Sequence, residues 1–410
     1  MVSVPQLSVV EYRKGMYLLV EGKNSNGIFF IVRDGRVELS KQMQFTEEKD
    51  ISIMAPGDFV GIVPAMAGRS QFESAQAIVD TTLVAVHRSQ FEGLIQSNPQ
   101  IAIKIIQQFS RRIRFLNDAL ARYTSSTGKK RSDDAATLFQ LGVYYQKLGK
   151  NQRCHYIFKR YAECYPDGPY AEKAISLEKN YRSHCALNYE VTDNPFKRNY
   201  KEGGLIFAEG EQGHELYIIK KGTVKIARIL DGNEVILSIL KEGDIFGEMA
   251  VIDDKPRSAI AVALEDVTVM AVLKENFASI SETQPQIIFN ITRMLSERIW
   301  FSYKQLSNAT IKDPIGRIYN YLAITLEKSN IEQRAGMTYT FDFNAKELMK
   351  MVFIPENKCK DVFADIFRRN KLITELNGKL FVNDVDEIYK LGVFYKNKQD
   401  RESSGTTGLK

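Results

Sequence analysis

Little in this chain points to disulfides, membranes or catalysis. Four cysteines (Cys154, Cys164, Cys185 and Cys359) are scattered irregularly over 410 residues. That argues against a disulfide framework and suits a reducing cytosol. No run of about 18 apolar residues occurs, so no membrane span is expected. The start, MVSVPQLSVVEYRKG, lacks the basic head and long apolar stretch of a secretion signal. A cytoplasmic protein without membrane contact is therefore expected. Cys154-His155 and His184-Cys185 are adjacent pairs, but their spacing matches no usual zinc-ligand pattern. No P-loop and no nucleophile–base pair at useful spacing is found either. The expectation is a protein that is not an enzyme and carries no cofactor or metal.

What is present is an ordinary globular composition. Apolar residues make up 44% and charged residues 26%. The formal net charge of +6 permits an anionic partner without demanding nucleic acid. The length allows roughly two to four domains.

The chain also repeats itself. EGKNSNGIFFIVRDGRVEL around Glu21 is answered by EGEQGHELYIIKKGTVKI around Glu209. Gly22 answers Gly210, Gly35 answers Gly222, and Gly57-Asp58 answers Gly243-Asp244. Both copies show short β-branched and aromatic runs broken by Gly and Asp turns, each followed by a helical stretch. Two small β-rolls with trailing helices are expected. Between them, Leu138, Leu141, Gly142, Tyr145, Gly149, Cys154, Phe158, Tyr161 and Pro166 fall at the spacing of a tetratricopeptide helical hairpin. Cys154 fits as a small residue where two helices cross. One such unit cannot bury its own apolar face and must dock on something. A spacer is the expected role, with peptide binding as the other reading.

One segment carries chemistry. FGEMAVIDDKPRSAIAV (Phe246–Val262) combines Gly247, where a backbone turn can approach a ligand, with Glu248, an acceptor for hydroxyl donors. Arg257 adds a planar fork of donors suited to a phosphate. Gly247-Glu248-Met249 followed by Pro-Arg-Ser-Ala resembles the phosphate-binding cassette of the cyclic nucleotide-binding domain family. The resemblance covers about residues 5–125 and 195–308. It implies that Glu248 takes the ribose 2′-hydroxyl and Arg257 the cyclic phosphate, with Met249, Ser258 and Ala259 beside them. The ligand it implies is a cyclic nucleotide, with a lean toward cyclic AMP. The first copy departs from the pattern. Matching Gly61 to Gly247 sets Ile62 where Glu248 stands, and matching Ser74-Ala75 to Ser258-Ala259 sets Glu73 where Arg257 stands. Isoleucine cannot accept a hydroxyl, and a carboxylate repels phosphate. The first copy is expected not to bind in the family's way. Arg69 reads as an exposed loop arginine.

Residues Ile287, Ile288, Ile291, Met294, Leu295, Ile299 and Leu306 form a helical apolar stripe suited to a two-helix seam between copies, so a homodimer is expected. This helix and Asp313, Gly316 and Arg317 resemble the dimer helix and hinge of catabolite-activator (CRP/FNR) regulators. By that resemblance Ser302 and Tyr303 reach the nucleotide base; the other reading leaves both on the helix's polar side. FNAKELMKMVFIPENKCKDVFADIFRRNKLI then reads helix, turn, helix, followed by ELNGKLFV with an Asn377-Gly378 hairpin turn. Pro355 is expected to start the second helix. This is the pattern of a winged helix-turn-helix. Met349 and Phe353 stand where the family has small residues, and Glu356, Asn357 and Asp361 occupy its base-reading positions. Asn357, Lys358, Lys360, Arg368 and Arg369 are the candidate contacts to double-stranded DNA, with Lys371 adding charge. Sequence-specific DNA binding and protein binding both remain open for this module.

The whole reads as an α+β chain. A degenerate cyclic nucleotide-binding-like β-roll spans 1–127 and a tetratricopeptide-like linker 128–190. A cyclic nucleotide-binding β-roll with dimer helix spans 191–311 and a winged helix-turn-helix 312–398. A disordered tail at 399–410 completes it.

Overall fold

The computed structural model describes residues 7–41, 52–124, 133–182, 190–191, 194, 196–230, 232–275, 285–354, 356–369 and 372–405. The first roll contains β1 (Ser8–Tyr12), β2 (Tyr17–Leu19), β3 (Ile28–Asp34), β4 (Val37–Ser40), β5 (Ile53–Met54), β6 (Phe59–Val60), β7 (Ser74–Ala77) and β8 (Thr81–His87). They form antiparallel sheets ordered β1-β8-β3-β6 and β2-β7-β4-β5. Helix α1 (Ile62–Ala67) lies between β6 and β7, and α2 (Phe91–Ser97) and α3 (Pro99–Thr124) trail the roll.

The second roll repeats this plan. Its strands are β9 (Glu190–Val191), β10 (Lys197–Tyr200), β11 (Leu205–Phe207), β12 (Glu215–Lys221), β13 (Val224–Leu230), β14 (Asn233–Leu240), β15 (Ile245–Phe246), β16 (Ile260–Ala263) and β17 (Val267–Leu273). Their sheets run β15-β12-β17-β10-β9 and β11-β16-β13-β14, the same connectivity with β9 added at one edge. Glycines make the shared corners: Gly35 and Gly222 both adopt positive φ (92° and 87°), and a Cβ at either would overlap backbone across the turn.

Three helices, α4 (Asp134–Lys147), α5 (Asn151–Cys164) and α6 (Ala171–Tyr181), separate the rolls. Cys154 is fully buried and its thiol donates to the Gly142 carbonyl (3.8 Å) where α4 and α5 cross. A Cβ on Gly142 would strike Phe158, so the close crossing requires glycine. The insert does not stand free. Leu138, Leu141, Phe158 and Tyr161 share a core with Leu205, Ala208, Ala227, Ile260 and Val262 on the outer face of the second roll. Burying each large apolar side chain there is worth about 1.5–3 kcal/mol. The matching face of the first roll pairs Tyr17 with Gln76 and Ser40 with Ser74, too polar to anchor such a layer.

The second trailing helix, α8 (Pro285–Ala309), follows α7 (Glu248–Asp253) in chain order and packs lengthwise on α3. Ile288, Ile291, Leu295, Ile299 and Leu306 are buried within the same core as Ile105, Phe109, Ile113 and Leu116 of α3. This corrects the expected homodimer seam: the stripe is apolar because it packs on a helix of its own chain. The helices also cross over, with α3 lying on α7 of the second roll and α8 on α1 of the first.

The C-terminal block begins with α9 (Pro314–Lys328), whose N-terminus is closed by Asp313 accepting from the Ile315 amide (2.9 Å). It continues through α10 (Ala345–Met351), α11 (Glu356–Arg369) and α12 (Val385–Gly405) around a small sheet. That sheet is ordered β18 (Tyr339–Phe341), β20 (Lys379–Val382), β19 (Ile373–Leu376). Helix α12 runs through Gly405, so residues 399–405, expected as disordered tail, are helical. The good helix formers Gln399, Arg401 and Glu402 let the helix propagate past its packed part. Pro355 and Lys371 lie outside the described residues. Among the described residues no helix is long and apolar enough to cross a membrane.

Candidate functional site

The cassette turn is built by Gly247 (φ 78°) at the start of α7, a backbone state that favours glycine. A Cβ there would lie 2.6 Å from Arg257 Nη1, so the glycine also makes room for the guanidinium. Arg257 is 3% exposed. Its Nη1 donates to the Gly247 carbonyl (2.5 Å) and its Nη2 to the Glu215 carbonyl (2.7 Å). Its Nε is buried without a hydrogen-bond partner. The guanidinium lies over the Phe207 ring (4.4 Å to the centroid) and beside Tyr217 (5.6 Å). Glu248 is 1% exposed. Its Oε1 accepts from Arg298 Nη1 of α8 (3.2 Å), while Oε2 is buried without a partner. Unmet hydrogen-bond capacity of this kind costs about 1–3 kcal/mol per group, more when the group is charged. A fold tolerates it most readily where a ligand supplies the missing partner.

The neighbouring cassette residues are buried as well. Ala259 and Met249 are buried, and the Ser258 hydroxyl donates to the Met249 sulfur (3.7 Å). Ser302 is buried on α8, one helical turn beyond Arg298 and on the same face. Tyr303 is turned about 100° away from Ser302 and goes elsewhere. Its hydroxyl accepts from Arg112 Nε of α3 (3.1 Å). Its ring stacks on Phe72 of the first roll (4.7 Å). The expected place of Tyr303 at the second cassette is thereby corrected: the crossover of α8 onto α1 carries it to the other roll.

The first roll also needs a corrected match. Backbone bonds join Gly22 N–H to the Gln71 carbonyl and Gln71 N–H to the Lys23 carbonyl. The same two bonds join Gly210 to Arg257 and Arg257 to Glu211. Strand pairing agrees, since Leu19 faces Ala75 as Phe207 faces Ala261. Gln71, not Glu73, therefore occupies the place of Arg257, and each stands 10 residues after its matching glycine, Gly61 or Gly247, with no insertion between. Gln71 is neutral, buried, and bonded at neither end of its amide. Glu73 matches Ala259 instead. It is 2% exposed and pairs with Arg112 and with Lys41 (3.8 Å). Lys41 Nζ also sits 3.8 Å above the Tyr303 ring. The cassette of the first roll is thus closed by Glu73, Arg112 and Lys41 together with Tyr303 of α8.

Sequence reasoning missed several contributors. Arg298 sat unremarked in the helix, although a charged residue one turn before Ser302 was a usable signal. Phe207, Tyr217 and the Glu211–Gly213 loop carried no motif. Arg114 of α3 donates to the Pro256 carbonyl (3.4 Å), a contact that depends on the helix crossover. Arg69 is no loose loop arginine: Nη1 and Nη2 donate to the Glu327 and Lys328 carbonyls (2.7 and 2.8 Å) at the end of α9.

In the C-terminal block, Phe353 follows α10 with φ 59°, the left-handed state that glycine adopts at no steric cost. Arg317 donates to its carbonyl (3.3 Å). Met349 is fully buried. Lys358 and Lys360 are exposed on α11, with the exposed Asp361 beside them. The backbones of Asn357, Arg368 and Arg369 lie in the same helix; their side chains are outside the described set. No group of His, Cys, Asp or Glu able to hold a metal occurs among the described residues.

The model of the cyclic nucleotide-binding domain matches residues 9–98 and again 197–284. A CRP-like cAMP-activated global transcriptional regulator of Mycobacterium tuberculosis is 27% identical over 192 residues, covering 46% of this chain and 85% of that protein. A cyclic AMP receptor protein of Thermus thermophilus is 36% identical over 104 residues, 25% of this chain and 48% of that one. A cAMP-dependent protein kinase regulatory subunit of Debaryomyces hansenii is 40% identical over 105 residues, 26% of this chain and 21% of that one. The two matches fall one on each roll, so the chain carries two segments in tandem that match the cyclic nucleotide-binding domain.

Proposed function

We propose that the chain is a cyclic nucleotide-responsive regulator of the catabolite-activator type. In this reading a cyclic mononucleotide, cyclic AMP by family resemblance, binds the second roll. Its phosphate meets Arg257, whose Nε is buried without a hydrogen-bond partner. Its ribose 2′-hydroxyl donates to Glu248 Oε2. Met249, Ser258 and Ala259 line the site and Ser302 faces the base. The single observation that carries the reading is the pairing of Glu248 and Arg257. Two buried groups of opposite charge, 1% and 3% exposed, each keep a hydrogen-bonding atom unused.

The response runs through α8. Glu248 already holds Arg298 on that helix, so filling the carboxylate changes what the helix is tied to. Helix α8 leads within four residues into α9 and the C-terminal block, which we read as a winged helix-turn-helix output. The ligand acts through its differential affinity for two placements of α8. The α3–α8 pair supplies a two-helix seam within one chain, so this mechanism does not require a homodimer. The first roll, with Ile62 and Gln71 at the two recognition positions, serves as a fixed partner.

Calorimetry with a panel of cyclic mono- and dinucleotides tests the site. Saturable binding of a cyclic mononucleotide to one site per chain is expected; no binding across the panel overturns the reading. A second reading of the output is favoured by Glu356 and Asp361, acidic residues on the helix that would face DNA. In that reading the module contacts protein. Salt-titrated DNA pull-down separates the two: specific binding that survives physiological salt supports DNA, and uniform loss across sequences supports protein contact.

A further inference from the structure

We infer that the helical insert is part of the phosphate site: Tyr156 and Arg160 of α5 are positioning residues that hold Glu211 and the 209–213 loop against Arg257, and so set the charge an incoming anion meets. The inference rests on the cyclic-nucleotide reading of the second roll.

The loop is sandwiched between insert and cassette. On the cassette side, Gly210 N–H donates to the Arg257 carbonyl and Arg257 N–H to the Glu211 carbonyl, both at 2.9 Å. A Cβ on Gly213 would overlap the guanidinium itself. On the insert side, the Tyr165 hydroxyl donates to the Gly210 carbonyl (2.6 Å) and Arg160 Nη2 to the Gln212 carbonyl (3.0 Å). The Gln212 amide donates to the Cys164 sulfur (3.4 Å). A Cβ on Gly210 would come within 2.5 Å of the Asp134 carbonyl oxygen. Glycine is needed on both sides because nothing else fits.

At the centre of the sandwich is a buried carboxylate. Glu211 is 4% exposed. Both of its oxygens accept from the Tyr156 hydroxyl (3.1 and 2.9 Å), and Arg160 Nε lies 3.5 Å away. The titratable and charged groups facing it are Tyr156, Arg160 and Cys164 from α5, Arg257 from the cassette and Tyr217 from β12. Burial pushes the Glu211 carboxyl above the usual range, while Arg160 and Arg257 pull it back. Arg160 also pairs with Glu163 of its own helix (Nη1 to Oε2, 2.6 Å). Without Arg160, Glu211 loses its nearer cation and its buried carboxylate opposes Arg257 alone, unless Glu211 takes up a proton.

The first roll serves as an internal comparison. Where Arg257 gives way to Gln71, the residue matching Glu211 is Lys23, and a Cβ on the matching Gly22 meets nothing within 4 Å. Arginine, opposing carboxylate and covering helix are present together in one roll and absent together from the other.

The test is calorimetry with cyclic AMP on the full chain across pH, with wild type, R160M and the double variant R160M/E211Q. R160M is expected to bind roughly tenfold more weakly near pH 8, with the gap narrowing as the pH is lowered and Glu211 gains a proton. The double variant, whose charge is restored, is expected within about threefold of wild type. Failure of wild type to bind overturns both readings. Wild-type binding with an R160M that binds equally well at every pH overturns this one alone. So does a loss that is the same at every pH and persists in the double variant, which would mark Arg160 as merely structural.

Discussion

Arg112→Met should be among the most damaging substitutions in the first roll, although Arg112 is not one of the ligand-site residues proposed here. Glu73 is 2% exposed, and its partners are Arg112 and the more distant Lys41 at 3.8 Å. Burial alone would lower the proton affinity of Arg112, but Glu73 and Tyr303 raise it overall, so the guanidinium stays charged. Breaking a buried ion pair costs about 3–5 kcal/mol because the remaining charge loses its counter-ion. Lys41 is retained, which places this case at the lower end, about 3 kcal/mol. The Tyr303 hydroxyl also loses its donor (3.1 Å), worth about 1 kcal/mol. Glu73→Leu alone is costly as well, since Arg112 and Lys41 are then left together without a carboxylate. The double variant R112M/E73L removes both charges, and the flexible Lys41 stem lets its ammonium reach water. A coupling of about 2–3 kcal/mol is therefore expected in the double-mutant cycle. The assay is urea unfolding followed by tryptophan fluorescence. Trp300, the only tryptophan in the chain, is 1% exposed on α8, one turn before Tyr303. A cost below about 1 kcal/mol for Arg112→Met, or strictly additive effects, would refute the closed-cassette account.

Other outcomes follow from the same geometry. Arg257→Leu removes two charged hydrogen bonds at about 1.5–3 kcal/mol each, so nucleotide affinity should fall by roughly a hundredfold or more, while Gln71→Leu leaves it unchanged. Equal behaviour of these variants in calorimetry would end the asymmetry between the rolls. Arg69→Met strips the bidentate cap from the last carbonyls of α9 and should cost about 2–3 kcal/mol. Hydrogen exchange should quicken at that helix end, and unchanged exchange there would contradict the bridging role. Glu234 links the second roll to α10 through Lys350 (2.8 Å) and also pairs with Lys225 (2.7 Å). Burial pushes its carboxyl up, but the two lysines outweigh burial and hold it below the ordinary value. A depressed folded value means that the stabilisation is present above the unfolded value and lost as pH falls through the folded one. Exchange protection of α10 should therefore drop on acidification below roughly pH 4, and Glu234→Gln should reproduce the drop at neutral pH.

Local spacing made much of the molecule legible. The Gly and Asp corners announced the strand breaks, and the Gly247-Glu248 and Arg257-Ser258 pairs announced the cassette. Each of these signals depends on residues close in sequence, where backbone geometry decides the partner. The match of Glu73 to Arg257 failed because the eye aligns identical letters, whereas the backbone aligns hydrogen bonds, and those select Gln71. The assignment of the apolar stripe to a seam between copies missed for a related reason. An apolar stripe states that a helix is covered, not by what.

By itself, the sequence determined that there are two rolls, that only the second retains a carboxylate and a guanidinium at recognition spacing, and that a helical insert must lean on a neighbour. Those properties follow from side-chain chemistry and short-range periodicity. Only the tertiary structure decided that α3 and α8 pair within one chain and cross onto each other's rolls. Through that crossing Tyr303 closes the first cassette, while tertiary packing also lets Arg298 hold Glu248 and α5 hold Glu211 beside Arg257. Contacts between residues tens to hundreds of positions apart are selected by shape and burial across whole domains, and no local pattern in the chain encodes them.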